Sequence, residues 1–445
     1  MAKREYLTAP LPSAKMPAGI PYILTNEAAE RFAFYGMSSI LVVFMTKYLM
    51  GSDGVLSVMG DEQAKKWFHL FTAAVYFTPL LGALLSDVWL GKYRTIVIFS
   101  IVYCVGFAAM AWDHTRVGLG LILIALGSGV IKPCVSANVG DQFGQSNKHL
   151  ISKMYSWFYF SINLGACISM LACPWLLDKY GPGVGFGVPA ALMVFATAAF
   201  VAGKWKYVHI PPAGERIIRE VLQKETLKIL ARLCVIFVFV SMFFALFYQS
   251  QSAWVLQAEK MNLRWLGVNW LPAQVQFVNS FYIILMIPLF SYVIYPALNR
   301  VFPLTPLRKI GIGMFVTALC FVVPAWVENR IAEGLAPNIG WQFFAYVLLT
   351  AGEILASIPV LEFAYTQAPK KLKTFVMSLY LLAISLGNVF SALVNHFIQN
   401  EDGSSKLPGA SYYWFFAGAM LVTLVLYIPV AMLYPVKEYI QDEKA

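Results

Sequence analysis

Twelve stretches of about 20 mostly apolar residues punctuate this chain, and that is the length a helix needs to cross the hydrocarbon core of a bilayer. They run near 29–49, 67–90, 95–113, 117–139, 151–175, 186–204, 228–250, 275–297, 308–327, 341–366, 373–397 and 410–434. Of the 445 residues, 59% are hydrophobic and only 13% are charged. Soluble domains carry about 45–50% apolar and roughly 25% charged residues. Such proportions exclude a disordered chain, a coiled coil and an ordinary water-soluble enzyme. The first stretch is not a cleaved signal peptide, because it contains Glu30-Arg31 and lacks a charged n-region before a short apolar block.

The formal net charge of +10 does not point to nucleic acid, since no Lys- or Arg-rich stripe exists and the basic residues sit between apolar runs. Twenty Lys and Arg fall on the side of the two tails and the central linker, against nine on the other side. The basic side is cytoplasmic by the positive-inside bias, so both termini are expected inside. The expected layout is a tail (1–28), a six-helix bundle (29–204), a cytoplasmic linker (205–227), a second six-helix bundle (228–434) and a tail (435–445). Pro211-Pro212 stops any helix leaving the sixth span, and 214–227 reads as a short surface helix. The expected class is thus an all-α membrane protein with the major facilitator fold, twelve transmembrane helices in two halves and both termini cytoplasmic. Its expected place is the plasma membrane, or the inner membrane of a bacterium.

Some charges lie where lipid would penalise them. An ionised group at mid-bilayer costs ~2.5–3.5 kcal/mol even on the lenient insertion scale. Lys153, Arg232 and Glu362 are near enough to span ends to snorkel. Glu27, Glu30, Arg31, Lys132 and Glu353 are not. Glu27, Glu30 and Arg31 stand at i, i+3 and i+4 and share one helix face, which Tyr35 and Ser38 continue. Lys132 sits in GSGVIKP, and Glu353 opens EILASIPVLEF with Ser357 one turn later. Three carboxylates against two cations would make a cavity that one bound proton neutralises. The six cysteines (Cys104, Cys134, Cys167, Cys173, Cys234, Cys320) show no C-x-x-C spacing, and no H-x-x-x-H exists. Neither a metal nor another cofactor is expected.

NEAAERFAFYGM (26–37) resembles the E-x-x-E-R-F-x-Y-Y-G element of the proton-coupled oligopeptide transporter family. YFTPLLGALLSDVWLGKYRT (76–95), GSGVIKP (127–133) and FYFSINLGA (158–166) resemble further elements of its first half. FFALFYQSQSAWVLQA (243–258), VNSFYIILMIPLF (278–290) and LEFAYTQAP (361–369) resemble segments of its second half. The resemblance implies twelve core spans and inward symport of di- and tripeptides with protons by a single chain, not an enzyme activity. It implies that Glu27, Glu30 and Arg31 couple the proton. Lys132, with Arg31, would meet the peptide carboxylate; Asn279 and Glu353, with Asn163, would hold the amino group. Tyr35, Tyr76, Tyr159 and Asn163 would line the pocket, with Phe244, Ser357 and Tyr380 on the other half. His69, seven residues before Tyr76, matches a proton-handling histidine of animal members, although a lone histidine near a span end is as readily a satisfied polar residue.

The sequence also departs from the family. Phe244 and Tyr380 replace tryptophans, Tyr248 replaces an acid in span seven, and Ser38 replaces an arginine in span one. Ser38 and Tyr248 are therefore expected to form an outer gate without its ion pair. A relative that carries nitrate or a small organic anion is the rival within the family. A membrane-embedded enzyme would need a nucleophile–base set, which is absent from these motifs. A nutrient sensor without transport is the third reading, and short tails disfavour it.

Overall fold

The structure is a computed structural model; it describes residues 6–112, 117–212, 214, 222–367, 373–400 and 404–435. Twelve helical runs among them are long and apolar enough to cross a membrane. Spans 1 to 6 are Ile20–Lys47, Asp61–Leu90, Lys92–Trp112, Val117–Asp141, Trp157–Tyr180 and Pro182–Ala202. Spans 7 to 12 are Lys224–Ala258, Pro272–Val301, Pro306–Ala332, Gly340–Ala364, Phe375–Ile398 and Ala410–Leu433. The chain is an all-α, multi-pass membrane protein. The strands among the described residues are Arg264–Trp265 and Val268–Asn269, a hairpin turned through Leu266 and Gly267, both at positive φ.

Two of the boundaries that differ from the sequence reading bear on the layout of tail and linker. Span 1 begins at Ile20, well before 29, so Glu27 lies inside the helix and not in a tail. Hydropathy marks Asn26, Glu27, Glu30 and Arg31 as polar, yet protein encloses them, so they continue the helix. Span 7 begins at Lys224, so the end of the expected surface helix over 214–227 belongs to this span; 215–221 lie outside the described residues. The side chain of Lys153 also lies outside them, whereas Arg232 and Glu362 are exposed.

By contact the chain divides into two compact units: Met1–Ser38 with Ala74–Gln223, and Ser39–Ala73 with Lys224–Ala445. The second unit includes the later part of span 1 and the first turns of span 2.

Glycines set the helix spacing within the first unit. A Cβ on Gly129 of span 4 would strike Thr78 Oγ1 and Val75 O of span 2, and one on Gly82 would strike the Val130 backbone. The two helices thus approach backbone to backbone, as small residues permit in membranes. Thr78 Oγ1 reaches Ala125 O across this seam at 2.9 Å. Gly165 of span 5 likewise rests against Ala28 O and Phe32 N of span 1. Asn26 Nδ2 ties span 1 to Ala196 O of span 6 at 3.0 Å.

In the second unit, Gly313 of span 9 meets the backbone of span 10 at Ala356 and Gly352. Ile283 and Phe290 of span 8 cluster with Ile354 and Leu355 of span 10. Asn279 is one turn before Ile283 and Glu353 directly precedes Ile354, so this apolar contact aligns the two polar residues.

Candidate functional site

Three buried charges of the first unit lie on span 1. Glu27, Glu30 and Arg31 are 2%, 1% and 8% exposed. Their helical spacing lets one guanidinium serve both carboxylates: Arg31 Nε donates to Glu27 Oε1 at 2.7 Å and lies 3.0 Å from Glu30 Oε2. Burial on this scale is tolerated because each charge has an opposite partner and lipid is excluded. Ser128 Oγ of span 4 donates to Glu30 Oε1 at 3.5 Å.

Lys132 is one turn beyond Gly129, on the helix that the glycine seam presses against span 2. Its Nζ lies 4.1 Å from the centre of the Phe34 ring and 4.4 Å from that of Tyr76. The ammonium is buried and has no hydrogen-bond partner among the described residues. Two aromatic faces hold it by cation–π attraction while its three N–H donors stay unspent. With both carboxylates ionised, Glu27, Glu30, Arg31 and Lys132 sum to zero.

Span 5 contributes Asn163, whose Nδ2 donates back to Tyr159 O at 3.0 Å, and Tyr159, whose side chain is exposed. Tyr35 is half-buried. Ser38, buried, ends the first stretch of this unit.

In the second unit the residues singled out in the sequence fall into separate polar groups. Asn279 Nδ2 of span 8 donates to Glu353 Oε2 of span 10 at 2.8 Å and lies 3.2 Å from Thr350 Oγ1. Glu353 has a neutral partner there, so its charge is not cancelled locally. Ser357 Oγ and the Tyr380 hydroxyl are 3.2 Å apart, and the Tyr380 ring meets Phe244 edge-on at 6.0 Å. His69 is fully buried. Its Nδ1 is 2.7 Å from Asn388 Oδ1, and its Nε2 is 3.1 Å from Ser252 Oγ. An amide oxygen can only accept, so Nδ1 carries a proton in this arrangement. Tyr248, also buried, belongs to this second unit and Ser38 to the first.

The structure thus brings together Glu27, Glu30, Arg31, Lys132 and Tyr76 in one unit, and Asn279 with Glu353 and Phe244 with Ser357 and Tyr380 in the other. His69 and Tyr76, two turns apart on span 2, fall in different units. Sequence reasoning missed Phe34, Ser128, Thr350, Ser252 and Asn388. The first three carried a local signal: Phe34 is i+3 from Arg31, Ser128 is i−4 from Lys132 and Thr350 is i−3 from Glu353. Asn388 is distant from His69 in sequence and carried none.

A family model described as "POT family" matches residues 93–224 and 215–415. The Drosophila melanogaster protein "Peptide transporter family 1" is 36% identical over 372 residues, covering 72% of this chain and 49% of that protein. Homo sapiens "Solute carrier family 15 member 1" is 33% identical over 388 residues, covering 72% and 53%. The chain therefore spans about half the length of these relatives. Among solved structures, that of the POT family transporter PepTSo superposes with a TM-score of 0.85 at 35% identity, covering 94% of this chain and 99% of the other. An auto-inhibited POT family peptide transporter superposes at 0.87 and 31% identity, covering 96% and 99%. With matches across both halves of the sequence and across nearly all of the fold, the chain belongs to the POT family.

Proposed function

We propose that this chain is a proton-coupled symporter that imports di- and tripeptides by alternating access, with both termini cytoplasmic and one chain sufficient. The observation that carries the reading is the Lys132 ammonium, buried against two rings with its donors unspent. It is prepared for an anionic group that arrives from outside the protein. A peptide carboxylate is such a group, and the contact is a charge-assisted hydrogen bond.

Glu353 favours a peptide over nitrate or a simple organic anion. An anion has no use for a partly buried carboxylate, whereas a peptide ammonium answers it directly. Asn279 orients that carboxylate. Peptide ends are constant in charge, so one cation and one anion serve any side chain between them. Phe244, Tyr380, Tyr35 and Tyr159 supply contact that tolerates many side chains.

Proton coupling follows from charge balance. The four charges around span 1 cancel before substrate arrives. A peptide carboxylate on Lys132 adds one negative charge and draws cationic partners away from Glu27 and Glu30. A carboxylate that loses its cation takes up a proton. Each proton moving inward gains about 2.3 kcal/mol per 100 mV of membrane potential.

The test is uptake of a labelled dipeptide into vesicles under an imposed proton gradient. Accumulation is expected to follow the gradient. N-acetylation of the peptide should cut affinity at least tenfold in the wild type and much less in Glu353→Gln. Equal loss in both proteins would remove Glu353 from the amine site. Gradient-driven uptake of nitrate but not of dipeptide would favour the anion reading.

A further inference from the structure

A cavity of about 290 Å³ lies wholly inside the second unit, at the ends of spans 2, 7, 9 and 12 remote from the linker. None of the groups assigned to transport above lines it. Its volume is near the lower end for small-molecule sites, roughly 300–1,000 Å³. The walls carry both signs of charge: Asp61, Glu62 and Glu328 against Lys65 and Lys260, with Tyr412 as an aromatic face.

Lys65 is already committed. Its Nζ bonds to Glu62 Oε1 at 2.8 Å and sits 4.0 Å from the centre of the Tyr412 ring. Glu62 is only half used: Oε2 is buried without a hydrogen-bond partner among the described residues. Glu328 is held in place from two spans. Gln257 Nε2 donates to its Oε1 at 3.0 Å, and Gln342 Nε2 approaches Gln257 Oε1 at 3.3 Å. With the Glu62–Lys65 pair set aside, Asp61 and Glu328 face Lys260 alone, so the cavity carries one negative charge in excess. A buried acceptor without a donor is costly, and a ligand N–H would relieve it. Among the described residues no group of three or more His, Cys, Asp or Glu is arranged to hold a metal ion. The donor set therefore suits a protonated amine with a nearby carboxylate better than a bare divalent cation.

We propose that this cavity is a separate docking site for a small zwitterionic solute of the peptide class, its ammonium taken by Glu62 and Glu328 and its carboxylate met by Lys260. The proposal rests on the reading that the chain carries peptides. Tyr412 links the cavity to the interior: its hydroxyl is 2.8 Å from Gln249 Oε1, which Ser252 Oγ approaches at 3.5 Å, and Ser252 in turn contacts His69. An occupant that disturbs Lys65 over Tyr412 thus acts on the hydrogen-bonded surroundings of His69.

The experiment is equilibrium binding of radiolabelled Ala-Ala to the full chain in lipid nanodiscs. Wild type should show a tight and a weak class of site. Lys132→Ala combined with Glu353→Gln should lose the tight class and keep the weak one. Adding Glu328→Gln should weaken the remaining class at least tenfold, and Lys260→Ala, further from the packed wall, serves where Glu328→Gln does not fold. N-acetylated Ala-Ala should fail to compete for the weak class, and millimolar calcium chloride should not displace it. A double variant with no weak class, a weak class indifferent to both Glu328→Gln and Lys260→Ala, or displacement by calcium would overturn the docking site while leaving transport intact. A weak class that persists in a protein without gradient-driven uptake would instead sink the transport reading. Absence of all Ala-Ala binding and uptake would remove both.

Discussion

Arg31 holds two carboxylates at one guanidinium nitrogen, and the first unit depends on that economy. Removing one partner of a buried ion pair costs about 3–5 kcal/mol, because the remaining charge stays buried. Arg31→Met is therefore expected to lower thermal stability sharply in detergent. Combining it with Glu27→Gln and Glu30→Gln should recover most of the loss, since no charge is then stranded. A triple variant no more stable than Arg31→Met would show that the pairing is not what holds these residues. Glu27→Gln alone probes function. It keeps shape and hydrogen-bonding capacity but removes a titrating group, so peptide exchange should continue while pH-driven accumulation is lost. Accumulation that still follows the proton gradient in Glu27→Gln would assign the proton elsewhere. These residues were legible in the sequence because lipid penalises charges at i, i+3 and i+4 in an apolar run unless they face one another or a polar cavity. The ring pair that holds Lys132 was not legible: the resemblance marks Tyr76 only as a pocket residue, and Phe34 reads as one more apolar residue.

At the scale of elements, close helix approach decides where the charged groups end up. Gly129 and Gly82 let spans 2 and 4 touch, and that contact carries Lys132 to Tyr76. Gly129→Val should cost about 1–3 kcal/mol by overpacking. It should also weaken peptide binding by moving Lys132 off its rings. Gly187 in span 6 is the control, because a Cβ there meets nothing within 4 Å. Gly187→Ala should leave stability and uptake unchanged or slightly improved. Similar losses at both glycines would show that general helix effects, not the seam, are being measured. Span 1 illustrates how hydropathy misplaces an end. After an apolar first turn it carries Asn26, Glu27, Glu30 and Arg31, all enclosed by protein, and 78% of its apolar window is buried against 22% in span 12. A helix surrounded by protein can carry Asn and Glu within its first three turns; one facing lipid is penalised for them.

At the scale of the whole molecule, the Lys and Arg count predicts which face of the chain is cytoplasmic. Lys206, at the end that leads into the linker, and Lys406, just before span 12, are both exposed. In a cysteine-free background, an impermeant maleimide added to intact cells should label Lys406→Cys and spare Lys206→Cys. The reverse pattern would invert the orientation and with it the direction assigned to transport. Twelve spans, their order and the family were settled by sequence, because a run of about 20 apolar residues has one stable solution in lipid and the motifs recur in order along the chain. Which polar atoms meet was a different matter. Asn279 and Glu353 lie on separate spans, as do His69, Ser252 and Asn388, and no local periodicity links them. Their contacts depend on the distance and rotation between packed helices, set by glycine seams and apolar clusters spread over the whole unit. Only the tertiary structure decides that, because a hydrogen bond requires about 3 Å and a helix face defines a direction without a distance.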